Sequence, residues 1–151
     1  MTTVLIHFLA LWLILAVQPN RTDVRLPNGR VLTVEVASTP DAVGRGLAGR
    51  QSVPADSGIL LVYPGDVRTN YNLFGYPVPM DILYIDENKT IINFRQNLAP
   101  CRNLDCGGYD SIWMHRYALQ LPAGTIKRLN LHAGDVLSFN APSFNFKPVL
   151  K

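Results

Sequence analysis

This sequence predicts a single, mostly β domain, a β-sandwich or partly open barrel with one or two short helices, preceded by an apolar helical segment. Three observations carry that expectation. About seven runs of strand length are alternating or continuously apolar, tight-turn residues punctuate them, and only two short stretches carry helix-start chemistry. The 151 residues suit one domain with a proper core, even with about twenty N-terminal residues set apart. Apolar residues reach 48% and charged residues only 17%, but much of that excess lies in the first seventeen positions, so the remainder is ordinary globular composition and disorder is not indicated.

Val4 to Val17 (VLIHFLALWLILAV) carries no formal charge, and the uncharged stretch runs from Met1 to Asn20. A run of this length suits the core of a secretory leader, whereas a spanning helix needs about twenty residues, which Met1 to Pro19 just provides. No Lys or Arg precedes the run, and Ala16-Val17-Gln18 is a poor small-x-small cleavage site, so a short uncleaved anchor stands beside the cleaved leader. Arg21, Arg25 and Arg30 follow the run and would favour a cytoplasmic C-terminal side if it were a stable span. Pro19 and Asn20 break the chain before the β-rich part, which argues against a buried core helix. Residues 1–20 are therefore expected to be a signal peptide or membrane anchor, and 21–151 one β domain that is exported, periplasmic or extracellular, or held at a membrane.

Asp23 to Leu26 and Val31 to Val36 flank Pro27-Asn28-Gly29-Arg30, and Asn-Gly between such runs signals a hairpin. Leu32, Val34 and Val36 share one face of the second run, as a half-buried strand requires. Thr39-Pro40-Asp41 supplies an N-cap, a proline at the first helical position and an acid at the positive helix end, and Gly44 and Gly46 keep the helix short. Gly58 to Tyr63 reads as a central strand apolar on both faces and ended by Pro64-Gly65. Met80 to Ile85 and Thr90 to Phe94 form a second hairpin around Asp86-Glu-Asn-Lys89, with Asn88 suited to the left-handed conformation. Tyr117 to Leu121 alternates, Ala123 to Leu129 reads as a brief helix, and Asp135 to Phe139 as a last strand.

Cys101 and Cys106 fall in an irregular loop marked by Pro100, Asn103, Asp105, Gly107 and Gly108, and a small disulfide-closed loop is the natural reading for an exported domain. These cysteines and His115 lack the paired spacing of a structural zinc site, so no metal and no cofactor is expected. The formal charge of +3 comes from 14 Lys+Arg against 11 Asp+Glu scattered from Arg21 to Lys151, without the cation cluster that nucleic acid demands. Asn20-Arg-Thr22 and Asn88-Lys-Thr90 match the glycosylation pattern, which matters only in a host that glycosylates.

The ordered landmarks Val34-Glu-Val-Ala-Ser-Thr-Pro40, Gly46-Leu47-x-x-Arg50, Gly58-Ile-Leu-Leu-Val-Tyr63, Pro79-Met80-Asp81-Ile82, Tyr84-Ile85-Asp86, Ala99-Pro100-Cys101 and Leu121-Pro-Ala-Gly124 lead to Gly134-Asp135-Val136. Over residues 31 to 140 this resembles the domain-of-unknown-function family DUF192. The resemblance implies a compact β-sandwich of jelly-roll-like topology, often behind an export leader or anchor, and no known reaction. Where members commonly carry an aromatic-Trp-Met-Lys-Asn-Thr run, this chain has Tyr71-Asn-Leu-Phe-Gly-Tyr76, which lacks the Trp, Lys and Asn of that run.

Among candidate site residues, Asp81 begins an apolar strand, where a carboxylate must be solvated, paired or hydrogen-bonded. As a general acid or base it needs a partner such as Asp56, Arg50 or Arg45; as a structural group it would accept backbone N–H groups or an Arg fork. Tyr71, Phe74 and Tyr76, with Tyr109 and Trp113, offer flat apolar faces to a sugar or peptide. No nucleophile motif and no phosphate loop is present. The leading expectation is thus a non-enzymatic binding or accessory module for an unidentified small molecule, glycan or protein, reaching the membrane through its N-terminal segment. A hydrolase or lyase using Asp81 with a second acid or Arg is one alternative, and a structural partner of an envelope complex through residues 71–76 another.

Overall fold

The computed structural model describes residues 20–103 and 105–146. In chain order they form β1 (Arg21–Arg25), β2 (Val31–Ala37), α1 (Pro40–Arg45), β3 (Ile59–Val67), β4 (Asn70–Tyr71), β5 (Met80–Ile85), β6 (Ile91–Leu98), β7 (Tyr109–Asp110), β8 (His115–Pro122) and α2 (Thr125–Leu129). Six strands make one mixed sheet ordered β1-β2-β3-β8-β5-β6, and β4 pairs with β7 in a second, two-stranded sheet. Only β2 and β3 run parallel within the large sheet. The apolar run Val4 to Val17 lies outside the described residues, and no helix among the described ones is long and apolar enough to cross a membrane.

Local chemistry explains the elements. Gly29, at φ 82, closes the first hairpin in a conformation that costs other residues a steric clash, and Val24 comes opposite Leu32. Thr39 Oγ1 accepts the Ala42 N–H at 3.3 Å to cap α1, and Gly46, at φ 51, ends it by donating to Ala42 O at 3.0 Å. Since β2 and β3 are parallel, α1 and the loop that follows form the crossover such a pair needs. The Pro64-Gly65 pair does not end β3. Pro64 has no N–H to donate, so pairing with β8 lapses after Val62 and resumes where Val67 meets His115. In the second hairpin Lys89, at φ 64, takes the left-handed position expected of Asn88. The Lys89 ammonium donates to Phe139 O at 2.7 Å, a tertiary contact that overrides the local preference.

All six residues of β5 are buried, and β3 and β8 bury residues on both faces, so the central strands need cover on each side. One core joins Leu32, Val34, Leu60, Leu83, Leu119 and Leu121 to Ile126 and Leu129 of α2 and to Leu137 and Phe139. The other, on the opposite face, joins Ile59, Leu61, Leu73, Met80, Ile82 and Tyr84 under α1 and the small sheet. At roughly 1.5–3 kcal/mol for each fully buried large aliphatic side chain, these two layers dominate the stabilising terms.

The expected sandwich or partly open barrel is accordingly modified. One large sheet is covered on both faces by helices, loops and a small sheet, and it does not close into a barrel. The expected last strand, 135–139, forms single bridges instead of a ladder, Ser138 to Arg25 of β1 and Val136 next to β6 at Thr90. Contact with two different partners over so few residues leaves no room for regular pairing with either. The pairings also fix direction: β1 and β8 run one way and β2 and β3 the other, with Arg21, Glu35, Ile59 and Gln120 level, so that β3 ends and β8 begins beyond the level at which β1 enters.

Candidate functional site

The alternation of β5 turns Asp81 toward the α2 side, away from Met80, Ile82 and Tyr84. The residue is fully buried, and its oxygens accept the Asn97 N–H at 2.9 Å and the Ile126 N–H at 3.0 Å. Ile126 lies in the first turn of α2, whose N-cap is Gly124, a residue with no side chain to offer. Asp81 therefore supplies from a neighbouring strand the cap that the helix lacks, and also holds the left-handed Asn97 of β6.

The other face carries a cleft of about 390 Å³ lined by Tyr63, Tyr71, Tyr76, Thr69, Asn70, Asn72, Val43 and Gly44. The β3 alternation Ile59, Leu61, Tyr63 delivers the first phenol, β4 the second, and the segment before β5 the third. Tyr63 and Tyr71 are joined hydroxyl to hydroxyl. Beneath them His115 is fully buried, its Nδ1 3.2 Å from Trp113 O and its Nε2 3.3 Å from Thr69 Oγ1. A carbonyl only accepts, so Nδ1 carries the proton, and burial lowers the pKa and keeps the ring neutral. Nε2 then accepts the Thr69 hydroxyl proton.

Rings pack around this chain: Tyr84 lies 4.9 Å from His115 and stacks on Tyr71 at 6.2 Å between centroids. Burial pushes the Tyr63 phenol up to about 12, aided by nearby Tyr76 and Tyr84, although the hydrogen bond with Tyr71 acts against it. Burial first, then the neighbouring Tyr63, raise Tyr71 well above 10, and burial also raises Tyr76. The cleft phenols are thus neutral donors and acceptors at ordinary pH, and no charged side chain lines the cleft.

Tyr76 donates to Gln120 Oε1 at 2.9 Å, and the Gln120 amide nitrogen is buried without a partner. Both press on Gly46, where a Cβ would collide with Tyr76 Oη and lie 2.8 Å from Gln120 Oε1. Glycine here serves a close approach as well as a positive φ.

Of the candidates read from sequence, the structure brings Tyr71 and Tyr76 together. Asp81 lies on the opposite face of the sheet. Arg50 pairs with Glu35 at a separate recess of about 120 Å³, Arg45 is exposed at the end of α1, and Asp56 pairs with Arg128 at 3.0 Å. Phe74 is exposed and bridges to Cys101, which is joined to Cys106 with the Cα atoms 5.8 Å apart. Sequence reasoning missed Tyr63 and Thr69 and weighed His115 only as a zinc ligand; the period-two pattern of β3 was the available signal for Tyr63. Among the described residues no group of three or more His, Cys, Asp or Glu is placed to hold a metal ion.

Fold and site together define a small mixed-sheet β domain with an uncharged, tyrosine-lined cleft on one face and a carboxylate-pinned helix on the other. The chain belongs to the DUF192 family, described as "Uncharacterized ACR, COG1430", whose profile matches residues 24–139. A solved structure from Sinorhizobium meliloti 1021, described as a "putative transcription regulator", is similar at 30% identity with a TM-score of 0.72, covering 82% of this chain and 96% of that one. A protein of unknown function from Novosphingobium aromaticivorans DSM 12444 shares the fold with a TM-score of 0.69 at 19% identity, covering 78% of this chain and 83% of that one. No curated protein matches the chain.

Proposed function

We propose that this chain is an exported or membrane-anchored, non-enzymatic binding domain whose ligand is a small, uncharged, hydrogen-bonding molecule or glycan seated in the tyrosine cleft. The observation that carries this reading is the lining itself: three neutral phenols, two carboxamides and a hydroxyl, with no charge. Such a set rewards hydroxyl- and amide-rich ligands and penalises ions, which would lose hydration without gaining a counter-charge. Placement outside the cytoplasm is supported by the uncharged Met1 to Asn20 segment and by the Cys101–Cys106 bridge, a pairing that persists in oxidising compartments.

The alternative of a hydrolase or lyase at Asp81 loses its motive, because the recorded partners of both oxygens are backbone N–H groups. A structural partner role through residues 71–76 is less favoured, since Leu73 is buried, Tyr71 and Tyr76 turn into the cleft, and Phe74 is the exposed large apolar side chain of that segment. The name of the Sinorhizobium relative raises nucleic acid as a partner. Here, however, Arg50, Arg116 and Arg128 are engaged by Glu35, Asp66 and Asp56, which leaves little clustered cation for phosphates.

A glycan and peptide array probed with the protein tests the reading. The expected result is retention of an uncharged, hydroxyl- or amide-rich class that is lost in Gly44→Trp. Gly44 is an exposed helical position with open space at its Cβ, so the indole fills the cleft and not the core. No binding to any class, or binding indifferent to Gly44→Trp, overturns it.

A further inference from the structure

We infer that the Ile112-Trp113-Met114 turn is a membrane-contact surface, set into the interface of a lipid bilayer to which the N-terminal segment tethers the domain. This rests on the membrane-anchored form of the reading above and adds a face and an orientation to it. Ile112, Trp113 and Met114 are exposed at 53%, 59% and 51%, three consecutive large apolar side chains turned to solvent. Isolated exposed apolar residues need no explanation, but a contiguous group does.

The turn is held in place at both ends. Ser111 donates its N–H to Thr69 O at 2.8 Å and its hydroxyl accepts the Thr69 N–H at 2.9 Å, while buried His115 holds Trp113 O. The exposure is therefore built into the fold. Arg68, exposed, lines the same recess as Ser111 and Ile112 and places a cation at the base of the turn within reach of lipid phosphates, beside the Asp110 carboxylate, which the Asn70 amide engages at 2.6 Å.

Chain direction says what covers this surface. The turn immediately precedes β8, and β1 runs away from that same end of the sheet, with Arg21 level with Gln120, five residues into β8. Gln18, Pro19 and Asn20 alone separate the apolar run ending at Val17 from β1, and three extended residues reach only about 10 Å. A domain tethered so closely presents that end of its sheet toward the bilayer. The opposite end carries the first hairpin turn and α2, where Arg30 and Arg128 converge on Asp56 at 3.9 and 3.0 Å, a charged group suited to water.

Three apolar side chains by themselves bind a bilayer weakly and reversibly. With the anchor in place their insertion becomes an intramolecular event at high effective concentration, and two weak signals together fix what neither fixes alone. Tryptophan is also the side chain best suited to the headgroup level, with an apolar body and one N–H donor.

The test uses the full chain carrying Trp12→Phe, which leaves Trp113 as the single tryptophan, reconstituted into vesicles of phosphatidylcholine and phosphatidylglycerol in equal parts. Expected are a blue-shifted Trp113 emission and loss of most of it when the lipids carry bromine near the headgroup. Ile112→Ser with Met114→Ser should return the emission to that of water while the protein still floats with the vesicles. Flotation with a water-like, unquenched Trp113 overturns the inference and assigns the turn to a protein partner. Failure to float overturns the anchor itself and this inference with it, while leaving cleft binding on the array untouched.

Discussion

Replacing Asp81 with alanine removes the acceptor of two buried backbone N–H groups at once. Each bond to a charged acceptor contributes roughly 1.5–3 kcal/mol, and each orphaned donor keeps its desolvation cost, so Asp81→Ala should destabilise by about 3–5 kcal/mol after allowance for non-additivity. That is a large share of the roughly 5–15 kcal/mol that holds a domain together. The structure makes the loss hard to relieve, because α2 has no side-chain cap of its own and carries Ile126 and Leu129 into the core. Asp81→Asn keeps the shape and one acceptor but points an NH₂ at a backbone N–H, and about half the loss is expected. In urea, with slopes of roughly 1–3 kcal/mol per molar, the alanine variant should move the midpoint down by about 1–5 M at unchanged slope. A shift worth less than about 1 kcal/mol would refute the capping argument. Below its own midpoint, Asp81→Asn should also retain array binding, since the carboxylate faces away from the cleft.

Gly46→Ala should destabilise by about 2–4 kcal/mol through its positive φ and the collision with Tyr76 and Gln120, whereas Gly44→Ala, with open space at its Cβ, should stabilise by about 0.4–1 kcal/mol; urea midpoints of the pair decide it. Reduction of Cys101–Cys106, or Cys101→Ser with Cys106→Ser, should cost about 2 kcal/mol for a loop of separation 5, and equal midpoints with and without reductant would contradict this. Alkali should weaken the fold: the phenol ionises near 10.0 unfolded but only near about 12 in folded Tyr63, so the unfolded state binds fewer protons across that window and stability falls as pH rises through it. Tyrosinate absorbance in the native protein, read beside the urea midpoints, would show ordinary titration of every tyrosine if that is wrong.

What the sequence disclosed and what it hid divide along contact range. The Asn28-Gly29 hairpin, the Thr39 cap and the two-sided strand from Ile59 follow from neighbouring residues, and each is present. The two-residue strands β4 and β7 are too short to carry a period, and 135–139 alternates like a strand but meets two partners. The site shows the same limit. Asp81 stood out as a carboxylate in an apolar run, yet its role depends on Ile126, 45 residues onward. Tyr71 and Tyr76 stood out by ring content, while the Thr69–His115 contact beneath them spans 46 residues and left no local trace.

The departure of residues 71–76 from the run common in the family bears directly on the cleft. The backbone of that segment is held from outside it: Leu73 O accepts the Cys101 N–H at 2.9 Å, Gly75 O accepts the Gly49 N–H at 2.8 Å, and Tyr76 is fixed by Gln120 against Gly46. None of these anchors depends on the Trp, Lys and Asn that the chain lacks. The scaffold can therefore keep its course while the groups it presents change, and the segment's phenols at Tyr71 and Tyr76 enter a cleft without charge. A lysine reaching the same space would bring a cation that binds anions and excludes a dry, neutral ligand surface. Introducing a cation into the lining by Asn72→Lys should therefore shift array preference from neutral toward acidic ligands.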